Sequence, residues 1–350
     1  MVPSRIAYID TAKGFGILLI VLGHNDLAAY HPTLHKFVYS FHIPLFFFLS
    51  GLFFRPERTF WETAQRRFQT LLRPYLFAIF LIYLGEAAFS NMTFPVIVGR
   101  IVKSLYATGH YIDWVQLWFL PHLFAVALFA WLVWRSVLGR IPTLAVRLAV
   151  LFVLLALGVM VMPFFWPFWA PMLEIELYGL PFSLDLVLAS GFFFLLGYEV
   201  NRLSPERWLA WPAVLPAALG LLLAMVLVLP PALDFNTRTY PSLWINTAEA
   251  LLGIAMILSL ARALEAAWLE PLARVFRYFG RISLVILVFH VPIQESFFQK
   301  LVRLGLSADP AIVLAFLSGV LIPALIYELA IHRNPRLRPW FGFPAEEALK

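Results

Sequence analysis

The 350-residue sequence contains no cysteine. Disulfides, thiolate zinc sites and a cysteine acyl-enzyme are excluded together. Charge is scarce as well, with Asp, Glu, Lys and Arg making up 13% of the chain, about half the usual share. No long polar segment, low-complexity linker or internal repeat interrupts it, so residues 1–350 read as a single domain. There is no HxxH or HExxH pattern, and no metal is expected. The first apolar run lacks a small-residue cleavage site and is broken by Asp10, Lys13, His24 and Asp26. It is expected to be retained rather than removed as a signal peptide.

What the chain has in place of charge is apolar surface: 62% of it is hydrophobic and its mean hydropathy is +0.83. Apolar runs recur at 15–22, 41–54, 76–89, 117–134, 148–162, 186–197, 211–229, 243–260, 282–298 and 311–331. The expectation is an all-α, polytopic transmembrane helical bundle of about ten spans. Its orientation follows from the basic residues. With the N-terminus inside, only Lys36, Arg100, Lys103, Arg238, Lys300 and Arg303 of the 26 Lys and Arg fall outside. The remaining twenty, running from Arg5 through Arg207 and Arg338 to Lys350, lie on the cytoplasmic side, as the positive-inside rule requires. Both termini are then expected in the cytoplasm, with a tail over about 332–350. The net charge of +6 is accounted for in this way, and no nucleic-acid partner is expected. Trp114, Trp118, Trp166, Trp169 and Trp244 sit where interfacial anchors belong.

Ionisable groups inside spans are costly and ask for a reason. Lys13 and His24 are eleven residues apart in the first span, which at 100° per residue is roughly 20° past three turns. They share one helix face, separated by about 16 Å along the axis. Lys13 also reads as a cation snorkelling to the interface, and His24 as interhelical glue. His24, however, is followed by Asn25 and Asp26, a polar cluster at the end of the span. His42 opens the second span two residues before Pro44, and Ser283 and His290 share a face seven residues apart in the ninth. Glu86, Glu199, Glu249, Glu295 and Glu328 are further buried candidates that spacing does not rank, and His110 and His122 are equally ambiguous. The cytoplasmic stretch 55–73 gathers Arg66, Arg67 and Arg73 before Pro74 opens the third span. This suits an anion clamp as well as it suits plain topology.

Six segments together resemble the acyltransferase-3 family of integral membrane acyltransferases, nearest its fucose 4-O-acetylase-like branch. They are YIDTAKGFGILLIVLGH, FHIPLFFFLSGLFF, RRFQTLLRPY, WFLPHLF, GFFFLLGY and GRISLVILVFH, in that order along the chain. Two departures stand out. The basic residue eleven positions before the histidine is Lys13 rather than arginine, and Thr70 breaks the RxxR pattern, leaving Arg73 as the compensating cation.

The resemblance implies transfer of an acyl group, most often acetyl, from cytoplasmic acyl-CoA to a hydroxyl of an envelope polysaccharide or its lipid-linked precursor. Acetyl-CoA is then the co-substrate and a sugar or glycolipid the acceptor, in a bacterial inner membrane. On this reading Lys13, Arg66, Arg67 and Arg73 hold the anionic donor. His24 acts as general base on the acceptor hydroxyl, with His42 the second choice and Asp26 a candidate to orient an imidazole. A glycan or small-molecule transporter using buried His and Glu as a proton relay is the competing class. The oligomeric state is left open.

Overall fold

The computed structural model describes residues 7–89, 92–171, 174–203, 209–229 and 232–344. Arg5, Arg207, Lys350 and the end of the cytoplasmic tail lie outside the described residues. Along the chain the helices are α1 (Ala7–Gly23), α2 (Leu27–Tyr30), α3 (Pro32–Tyr39), α4 (His42–Gly51), α5 (Phe60–Arg67), α6 (Arg73–Phe89), α7 (Phe94–Tyr106), α8 (Phe119–Ser136) and α9 (Leu144–Val161). They continue as α10 (Val187–Arg202), α11 (Val214–Val228), α12 (Leu243–Ala263), α13 (Glu270–Arg281), α14 (Ser283–Arg303) and α15 (Ala308–Ile326). A short antiparallel ribbon, β1 (Phe168–Ala170) with β2 (Ile175–Leu177), sits in the aromatic stretch between α9 and α10.

Among the described residues seven helical stretches are long and apolar enough to cross a membrane: Phe60–Phe89, Val115–Arg140, Leu144–Phe165, Pro181–Arg202, Leu243–Ala263, Ser283–Arg303 and Ala308–Ile331. The other three apolar runs fall on shorter helices: α1 with 17 residues, α4 with 10 and α11 with 15. One boundary differs from the sequence expectation. Pro74 does not open the third span, because helix has already begun at Phe60. Thr59 and Glu62 form a capping box that satisfies the first amides and starts the helix there. Proline cannot donate to the carbonyl four residues back. A π-helical turn over Phe68–Leu72 absorbs the irregularity, so the helix carries on past Pro74.

The chain divides into two compact units. The first takes the chain up to Phe53, then Leu196–Phe235 and Thr239–Tyr327. Its tightest crossing joins α1 to α13. A Cβ on Gly14 would collide with the carbonyl of Phe276, and one on Gly280 with the carbonyl of Asp10. Only glycine lets the two backbones meet, as small residues do at close membrane helix crossings. Beside them Phe15 and Phe276 stack with centroids 3.9 Å apart. The chain just past α1 is tied to α15 by Asn25 Nδ2 donating to the Ile312 carbonyl at 2.6 Å. His31 pairs with Asp309 at 2.9 Å.

The second unit takes Phe54–Leu195, Asn236–Arg238 and the chain from Glu328. In it Arg100 on α7 holds Glu86 at 2.8 Å and Asp113 at 2.5 Å. The Asp113 hydrogen bond raises the Arg100 pKa above its usual value. Trp131 Nε1 on α8 donates to the Arg58 carbonyl at 2.8 Å, fixing the entry to α5.

The glycine crossing makes a direct prediction. Gly280→Val should lower the thermal midpoint of the detergent-solubilised protein by several degrees, a cost of about 1–3 kcal/mol from overpacking. Gly220→Ala, at a position with open space around it, should leave the midpoint unchanged. Equal midpoints for the two variants would contradict the crossing.

Candidate active site

His24 follows the last turn of α1, where its amide still donates to the Ile20 carbonyl at 3.1 Å. The helix stops because Asp26 adopts the left-handed conformation, φ 48°, which aspartate tolerates better than most residues. The His24 carbonyl accepts from Gln294 Nε2 of α14 at 2.7 Å. The backbone here is therefore held from α14 and, through Asn25, from α15. The half-buried His24 ring faces His290 of α14, with centroids 5.5 Å apart and planes tilted by 56°. Among the described residues neither His24 ring nitrogen makes a hydrogen bond. Asp26, a candidate to orient an imidazole, is exposed and does not bond it.

His42 begins α4 and is 3% exposed. Its Nδ1 lies 2.9 Å from the Val38 carbonyl. A carbonyl only accepts, so Nδ1 carries the proton and Nε2 the lone pair. The ring packs on Tyr39 at 4.6 Å and is within electrostatic reach of His24. His290 is fixed in the same way, with Nδ1 donating to the carbonyls of Ile286 at 2.9 Å and Leu287 at 3.0 Å. Its Nε2 is buried and without a partner. Three imidazoles of the first unit thus present uncommitted ring nitrogens. Nothing in the spacing of His290 from His24 along the chain announces their meeting. The sequence signals for His290 were that it interrupts an apolar span, shares a face with Ser283 and closes the GRISLVILVFH segment.

Lys13, on the same helix as His24, lies 3.9 Å from Asp10 and 4.6 Å from the Phe53 ring centroid. The arginine cluster belongs to the second unit. Arg66 is exposed and Arg67 half-buried at the end of α5. Arg67 stands over the Phe194 ring at 5.8 Å. Arg73 opens α6 and donates to the Pro339 carbonyl at 3.1 Å. Arg66 repels Arg55 and Arg58 as well as Arg67. None of these five arginines is ion-paired with a carboxylate among the described residues. Such a group can receive a polyanion. The structure therefore places the two histidines and Lys13 in one unit and the three expected arginines in the other. Among the described residues no three of His, Asp and Glu converge as metal ligands do.

A second polar cluster gathers around His122, a candidate that the sequence left ambiguous, with partners that the sequence did not indicate. His122 of α8 lies 2.9 Å from Ser190 Oγ through Nε2 and 3.1 Å from the Phe182 carbonyl through Nδ1. Asp185 grips Arg238 through two hydrogen bonds, 2.8 and 3.1 Å, with both side chains fully buried. Arg238 also lies over the Trp166 ring at 4.4 Å. Phe182, Ser183 and Arg238 all take positive φ, so this corner of the second unit is held in sparsely populated backbone. Ser190 directs its own hydroxyl to the Leu186 carbonyl at 2.7 Å, and with no solvent access the arrangement acts as internal bracing. Asp185→Asn should therefore destabilise the folded protein by about 3–5 kcal/mol, because it leaves a buried guanidinium uncompensated. Thermal unfolding in nanodiscs measures this, and an unchanged midpoint would refute the bracing role.

The family model described as an acyltransferase domain matches residues 6–328 of the chain. No curated protein and no solved structure matches it.

Proposed function

From the premise that the chain belongs to the acyltransferase-3 family and is a membrane acyltransferase, we propose that it transfers acetyl from cytoplasmic acetyl-CoA to a hydroxyl of an envelope polysaccharide or its lipid-linked precursor. The proposed setting is a bacterial inner membrane crossed about ten times, with both termini inside and a chemistry of the fucose 4-O-acetylase type. What carries the reading is His24, a half-buried imidazole with both ring nitrogens uncommitted, at the end of a helix that the family match includes.

His24 is the proposed general base. A neutral imidazole has one basic ring nitrogen, so it can take the acceptor's hydroxyl proton as oxygen attacks the thioester carbon, and return that proton to the leaving thiolate. The acceptor O–C bond forms, the C–S bond breaks, and the free thiol departs with the proton. His42, with its bare Nε2, is the reserve assignment. Arg66, Arg67 and Arg73 are proposed to bind the donor's phosphates, supported by their lack of carboxylate partners. Lys13 adds a further cation to the donor set.

Labelled acetyl from acetyl-CoA should appear in envelope polysaccharide of cells that express the protein and not in cells that lack it. Export of glycan without label would instead favour a transporter. His24→Ala in folded, membrane-inserted protein should lower transfer by about 100-fold or more, the usual worth of a positioned base; normal transfer would remove the assignment. Neutralising Arg66, Arg67 and Arg73 together should weaken acyl-CoA binding at least ~10-fold, since charge-assisted contacts to phosphate are among the stronger hydrogen bonds. Unchanged affinity in a titration of the triple variant would refute the donor clamp.

A further inference from the structure

His290 is fully buried, yet one of its two nitrogens is unused. Nδ1 is committed as a donor to two carbonyls of its own helix, so Nε2 holds a lone pair and can only accept. No atom of the described residues donates to it, and a buried acceptor left unpaired costs roughly 1–3 kcal/mol. The aromatic ring in contact with it is His24, at 5.5 Å between centroids. Two imidazoles joined edge to edge by an N–H···N bond of about 3 Å place their centroids roughly 5 Å apart. The observed separation is within a small displacement of that value, and a turn of the His24 ring aligns the two. The backbones are already locked together, because Gln294, one turn beyond His290 on α14, donates to the His24 carbonyl.

Resting on the proposed role of His24, we infer that His290 is its positioning residue, accepting the N–H of one His24 nitrogen at Nε2 and leaving the other nitrogen bare toward the acceptor hydroxyl. The sequence of groups is then helix carbonyls, His290 Nδ1–H, His290 Nε2, His24 N–H, and the second His24 nitrogen against the substrate. When His24 takes the hydroxyl proton, its N–H to His290 strengthens and the positive charge has an acceptor beside it. The proton leaves to the thiolate by the route already given, and His290 neither gains nor loses one. This is the base-and-orienter logic found wherever an imidazole must be held in one tautomer. Here a second neutral imidazole stands in place of a carboxylate.

Two substitutions separate positioning from packing, both assayed in nanodiscs with acetyl-CoA and a panel of octyl glycosides as acceptor probes. His290→Asn keeps a donor for the helix carbonyls but withdraws the lone pair from the Nε2 position. It should lower kcat about 10- to 100-fold, as loss of an orienting partner does, with KM for the glycoside changed less than twofold. His290→Gln restores an acceptor near that position and should recover kcat to within about tenfold of wild type. Combining His290→Asn with His24→Ala should be no worse than His24→Ala alone, since the two act as a unit. Wild-type kcat in a folded His290→Asn protein overturns the inference, as does equal loss in Asn and Gln variants, or additive losses in the double variant. A silent His290→Asn beside an inactive His24→Ala removes only the role of His290. Normal transfer by His24→Ala removes the reading of His24 itself.

Discussion

Where no water is available, a polar side chain has to find its partner within the chain, and in this protein the partner is usually a backbone carbonyl. His42 bonds Val38, His290 bonds Ile286 and Leu287, Asn25 bonds Ile312, and Gln294 bonds His24. Lys36 reaches the carbonyls of Val226 and Leu229, and Tyr75 that of Ser104. The cost of an unmet group in apolar surroundings makes this close to obligatory. It also gives meaning to the exceptions. The uncommitted ring nitrogens of His24, His42 and His290 are such exceptions, beside buried oxygens such as Glu249 Oε1 and Gln294 Oε1 that also lack a partner among the described residues.

The same contrast applies to charge. Arg100, Arg202, Arg238 and Arg277 all have carboxylate partners within 4 Å. Arg55, Arg58, Arg66, Arg67 and Arg73 have none among the described residues, and Arg66 and Arg67 are repelled by their basic neighbours. A chain with so few charges concentrates unpaired positive ones in a short stretch, and from Phe60 onward that stretch is helical because Thr59 and Glu62 cap it. Mutual repulsion within such a group is relieved when a polyanion binds.

Much of this was legible in the sequence, and the reasons for the failures are specific. Apolar runs are local, so the helical membrane architecture could be read directly. Pro74 was a misleading marker, because the π-turn before it lets the helix run through, while the true start signal was the Thr59–Glu62 pair. His290 beside His24, and His122 beside Ser190, are meetings between residues far apart in the chain, and no periodicity encodes them. The β1–β2 ribbon was hidden in an aromatic stretch too short and irregular for alternation to show.

The contact between α1 and α13 bears on how the first helix can move. Two helices that touch backbone to backbone at both Gly14 and Gly280 cannot roll over one another, since any rotation drives a side chain into the gap the glycines keep open. The first helix is therefore a fixed beam, and Lys13 within it and His24 just past its end keep a constant separation. Any opening or closing of the site falls to ring rotations and to the loops, not to this helix.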